Sequence, residues 1–175
     1  MGWSWFHSGL MLMAVFIGNI GIKPMTTGLM QRFGFKPILL VNGALNCLLI
    51  AACALIGTGV PVWLLALLLC LGGMTRSVQF TALNTMAFAD IAKPQMTDAN
   101  TLFSTAFQLA MGLGVALGAV AWRVGEYVAA NHEPGQPQLA FQIAFVLIAL
   151  VSAVGMLDSF KLAARAGEHV IRKKA

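Results

Sequence analysis

Acid is scarce in this chain: six Asp and Glu stand against eleven Lys and Arg in 175 residues, and only 10% of residues are charged. No two carboxylates share an apolar stretch at membrane depth, which argues against an intramembrane aspartyl protease. His7, His132 and His169 fall in predicted loops or tails. No HExxH, GxSxG or Walker phosphate loop occurs, so no enzyme, cofactor or metal is expected. The three cysteines, Cys47, Cys53 and Cys70, lie inside predicted helices without CxxC spacing. They suggest neither a disulfide framework nor a zinc site and read as buried packing residues.

What the chain has is apolar length. Hydrophobic residues make up 59% and mean hydropathy is +0.82, which argues against a soluble all-helical protein. Five apolar stretches, at 8–29, 38–57, 62–86, 100–128 and 139–160, are each long enough to cross a ~30 Å hydrocarbon core. The predicted fold is all-α: one polytopic transmembrane helix bundle over 1–160, with a basic tail at 161–175. Pro37 and Pro61 stand near the first turns of the second and third helices. Lys93-Pro94 breaks the chain before the fourth, for which Thr97 and Asp98 are candidate caps. Residues 133–137 form a turn-rich loop.

Alternate connections carry Arg32 and Lys36, then Lys93, then Lys161, Arg165, Arg172, Lys173 and Lys174, which is eight of the eleven cations. The other connections carry none. This asymmetry predicts an outside N-terminus and a cytoplasmic tail. Trp3, Trp5, Trp63, Trp122 and Tyr127 all fall at ends assigned to the outer face, as half of an aromatic belt. The net charge of +5 comes from the inner loops and tail, which face anionic lipid, and is no footprint of nucleic acid. The first apolar run lacks a basic leader and is too long for a signal-peptide core.

Polar residues at membrane depth need a protein partner or a wet cavity. On the third helix Gly73, Ser77, Thr81 and Asn84 form one stripe, flanked by Arg76 and Gln79. Arg76, near mid-helix, reads either as a clasp on neighbouring carbonyls, as a contact to an anion or substrate, or as a charge partner in a switch. On the fourth helix Asn100, Ser104 and Gln108 repeat the spacing, and Gln108 reads as a cavity group or an interhelical hydrogen bond. Gly114 and Gly118, with Ala110 one step earlier, permit close helix packing. Asn42 and Asn46 read as interhelical glue. Lys23, four residues after Asn19, can snorkel. Arg123 and Glu126 are placed to pair locally.

Several segments resemble the C-terminal part of major facilitator transporters, in particular the fourteen-helix EmrB/QacA-type drug:proton antiporters. They are Trp5-Phe6-His7-Ser8-Gly9-Leu10-Met11, Gln31-Arg32-Phe33-Gly34-Phe35-Lys36, Phe80-Thr81-Ala82-Leu83-Asn84-Thr85, and Asn100 to Thr105 continuing to Gln108. The likeness covers about residues 5–165. The loop resembles a degenerate copy of the facilitator motif between the second and third helices of each half. Arg32, Gly34 and Lys36 match it; Thr27, Gln31 and Phe35 stand where glycine, aspartate and a cation are expected. The resemblance implies Arg32 and Lys36 contacting helix ends at the inner face. It also implies five of the six helices of a C-terminal bundle in a bacterial inner membrane, working with further N-terminal helices or a homologous half. The implied function is efflux of a small-molecule substrate coupled to protons. Arg76, Gln79, Asn84 and Gln108 are then the cavity candidates, and Gly73, Ser77, Gly114 and Gly118 the packing positions. The alternative is a non-transporting scaffold or partner subunit that binds other helices through its small-residue faces.

Overall fold

The computed structural model describes residues 5–56, 60–132, 137–160 and 162, without side chains at 5–8, 132, 137 and 158. Among the described residues six α-helices make the bundle: α1 Trp5–Gly21, α2 Lys23–Phe33, α3 Phe35–Ala54, α4 Val62–Ala87, α5 Met96–His132 and α6 Pro137–Phe160. Four are long and apolar enough to cross a membrane, or five spans result if the bent pair α1–α2 counts as one. Side chains such as Leu48, Leu102, Val115 and Val154 stand at least 66% exposed. An apolar surface that broad is suited to lipid and not to water. The chain is an integral membrane protein.

The first span departs from the expected single helix over 8–29. It bends by 46° between α1 and α2. Pro24 is the cause: it has no N–H for the carbonyl one turn earlier, and it disfavours helical geometry at Lys23. The break is re-satisfied locally. Ile22 O accepts the Met25 and Thr26 amides at 3.0 and 3.1 Å and the Thr26 hydroxyl at 2.9 Å.

Gly34 closes α2 and opens α3 at φ 80° and ψ 171°, the only positive φ among the described residues. Before α5, Lys93–Gln95 makes a 3-10 turn. Thr97 and Asp98 are therefore not caps but members of the first turn of α5, where the Asp98 charge suits the helix dipole. The loop 133–136 and the tail, except Leu162, lie outside the described residues.

The helices pack in the order α1–α4–α3–α6–α5, with α2 leaning on α3 and α4. Glycines set the closest approaches. A Cβ on Gly18 would collide with the Cys70 carbonyl, and one on Gly73 with the Val15 carbonyl. Gly125 likewise meets Ala140 O, beside a Trp122–Phe141 pair at 4.5 Å. A buried cluster of Met30, Phe35, Ile38, Leu39, Val78 and Ala82 fills the end of the bundle near Gly34.

At that same end Lys36 Nζ donates to Phe160 O at 3.1 Å and Leu162 O at 2.6 Å. Its charge thus caps the C-terminus of α6, where helix carbonyls lack partners. Arg32 stands in the last turn of α2, its guanidinium 5.5 Å from the Phe33 ring.

Candidate functional site

Part of the polar segment of α4 is satisfied by α3. Asn42 Nδ2 donates to Thr75 O at 2.8 Å and to Gln79 Oε1 at 2.9 Å. Thr75 Oγ1 donates to Asn46 Oδ1 at 3.2 Å and to Gly72 O at 3.0 Å. Among the described residues no buried side-chain nitrogen or oxygen lacks a partner. Each such bond contributes only about 1 kcal/mol net, but leaving one unmade in a dry interior costs more. Asn42 and Asn46 thus join α3 to α4.

Above this network opens a cleft of about 800 Å³. Its walls come from every long helix. α1 gives Val15, Phe16 and Asn19, and the break gives Lys23. α3 gives Asn46, and α4 gives Thr75, Arg76, Gln79 and Phe80. Phe107 and Met111 come from α5, and Met156 from α6. Phe80 and Phe107 face each other across the α4–α5 gap at 5.1 Å. From there Phe107 continues to Phe103 at 6.4 Å, and Phe103 to Phe88 at 5.3 Å.

Arg76 and Gln79 therefore share one cleft. Asn84 and Gln108 do not line it. Gln108 is exposed on α5 while Phe107 takes the inward face. Asn84 lies on α4 beyond Phe80, Thr81 and Leu83, which do line the cleft.

Gly73 and Ser77 are buried, and Gly73 is the α1–α4 contact. Gly114 and Gly118 make no close helix contact among the described residues: a Cβ on either would meet nothing within 4 Å. The reason is that α5 reaches α6 through Gly125 and Trp122 and turns its earlier glycines away. Arg123 and Glu126 form no ion pair among the described residues; both are exposed, where such a pair gains little. The three cysteines are half-buried, not buried. Sequence reasoning did not place Lys23, Phe80 and Phe107 in the cleft. The four-residue step from Asn19 to Lys23 was the available signal for one of them; the two phenylalanines have no polar signature among so many apolar neighbours.

A concave cleft with a few polar groups among aromatic and aliphatic walls has the general make-up of a small-molecule site. Over most of its length the chain is a homologue of bacterial proteins that carry the name "Putative multidrug resistance protein MdtD", in accord with the facilitator likeness read from its motifs. It is 27% identical to the Pectobacterium atrosepticum protein over 90% of this chain and 34% of the relative. It is 31% identical to the Serratia proteamaculans protein over 83% of this chain and 30% of the relative. To the Cronobacter sakazakii protein it is 36% identical over 67% of this chain and 25% of the relative. The chain thus spans about a third or less of the length of these relatives. No family model matches, and no solved structure matches.

Proposed function

We propose that the chain is part of a facilitator-type efflux transporter that exports multiple drugs or other small molecules in exchange for protons. In this reading it lies in a bacterial inner membrane with the N-terminus outside and the C-terminus cytoplasmic. The observation that carries the reading is the cleft: five helices converge on one space of about 800 Å³ lined by Arg76 and Gln79. Facilitators hold substrate between two pseudo-symmetric halves that rock about it, and the five helices here wall one side of such a space. The partner is then a set of N-terminal helices or a homologous half.

Energy-dependent dye extrusion from cells tests this. The chain expressed alone is expected to insert without extruding dye, and to support extrusion when the N-terminal helices of a related transporter are supplied. In that assembly Arg76→Ala should impair extrusion more than Lys93→Ala, because Lys93 sits in an exposed turn outside the cleft. Strong extrusion by the chain alone, or equal effects of the two substitutions, would refute it.

A second reading rests on the open face at Gly114 and Gly118: a membrane partner subunit that receives another helix there. Crosslinking from position 114 to a co-purifying membrane protein, with no extrusion in any assembly, favours that reading.

A further inference from the structure

The cleft has a sign. Lys23 and Arg76 both line it, and among the residues whose side chains are described no Asp or Glu does. Among the described residues neither cation makes a salt bridge or donates a side-chain hydrogen bond. The acids whose side chains are described lie elsewhere: Asp90 in the turn after α4, Asp98 in the first turn of α5, and Glu126 toward the far end of α5; Asp158 stands on α6, two residues after Met156, with its side chain outside the described set. Of the carboxamide oxygens that line it, Asn46 Oδ1 is engaged by Thr75 and Gln79 Oε1 by Asn42, and Asn19 adds a further carboxamide. What the cleft offers a ligand is a guanidinium, an ammonium, the Gln79 amide nitrogen and the Asn19 carboxamide. Beside them stands an apolar wall of Phe16, Phe80, Phe107 and Met111.

Both cations are exposed to the cleft, and a charge held between membrane helices is costly unless water or something anionic answers it. A guanidinium answers best to a planar carboxylate or a phosphate. A cationic ligand would meet repulsion in the same place. We propose that this cleft takes an amphiphilic organic anion. Its carboxylate, sulfonate or phosphate lies between Lys23 and Arg76, and its aromatic or aliphatic body lies against Phe80 and Phe107. The proposal rests on the cleft being the substrate site and narrows the class of substrate.

The test is equilibrium dialysis of radiolabelled naphthoate and of naphthylmethylammonium, two probes with one body and opposite charge. The full chain is held in phosphatidylcholine nanodiscs. Naphthoate should bind saturably and at least about tenfold more tightly than the ammonium. Arg76→Gln and Lys23→Gln should each weaken naphthoate about tenfold, the scale of one charge-assisted contact, and leave the ammonium unweakened. Arg76→Lys, which keeps a cation, should retain most of the naphthoate binding. Phe107→Ala should weaken both probes.

Tighter binding of the ammonium, or naphthoate binding indifferent to both Gln variants, would overturn the proposal. So would exclusion of naphthoate by phosphatidylglycerol added to the disc, which would assign the cationic pair to a lipid headgroup. Naphthoate selectivity in a chain that supports no extrusion even when the N-terminal helices of a related transporter are supplied keeps the anion site while removing the transporter reading, so the two fail separately.

Discussion

Gly34 holds a backbone conformation that belongs almost wholly to glycine. Gly34→Ala should therefore cost about 1–3 kcal/mol, seen as a lower unfolding midpoint in detergent. Gly28→Ala is the control. It sits inside α2 with nothing within 4 Å of a new Cβ and should be neutral or stabilising. Equal shifts would deny Gly34 its special role. A second contrast compares two glycines of the same sequence type. Gly73→Leu must push α1 off α4, because the obstacle is Val15 backbone, and overpacking of this kind costs about 1–3 kcal/mol or more. Gly114→Leu enters open space and should leave the midpoint within about 0.5 kcal/mol. The sequence marked both as packing positions; only the three-dimensional partner distinguishes them, and spacing along one helix does not name that partner.

Among the elements, α1–α2 and α5 differ most from what apolar length suggests. The Lys23-Pro24 pair was visible in sequence, yet hydropathy ran through it, because the flanking residues are apolar on both sides of the bend. Pro24→Ala restores an amide and should straighten the span, drawing Lys23 from the cleft. Spin labels at positions 10 and 33, read by double electron–electron resonance, should report a longer distance in the variant; an unchanged distance would show that tertiary packing holds the 46° bend. α5 runs 37 residues, or ~55 Å at 1.5 Å per residue, well beyond the hydrocarbon core. Its ends continue as helix beyond the limits of 100 and 128 that hydropathy sets, with Met96 and Ala99 at one end and Ala129 and Ala130 at the other as the favourable helix formers. The same distinction governs the site. That Arg76 and Gln79 would share one space followed from their three-residue step on α4, which puts them on one helix face. Gln108 was not legible, because the face α5 turns inward is chosen by Trp122 and Gly125, more than three turns away.

For the whole molecule, the all-α membrane bundle was legible from apolar length and charge alone, whereas the packing order α1–α4–α3–α6–α5 was not, since no local signal names a distant neighbour. Orientation is testable by cysteine accessibility after the native cysteines are replaced. A cysteine at position 133 should label from outside and one at 172 only from the cytoplasm; the reverse pattern would invert the topology. The Lys36 clasp on α6 bears on biogenesis. Its partners lie 124 and 126 residues downstream. At about 5–20 residues per second, roughly 6–25 seconds of synthesis separate the lysine from its acceptors. Throughout that interval α3 has been made without α6, and its lipid-inserted surface must be tolerated or shielded by the insertion machinery. Closure of the bundle is thus a late event, and a ribosome stalled before α6 should leave α3 open to neighbouring proteins.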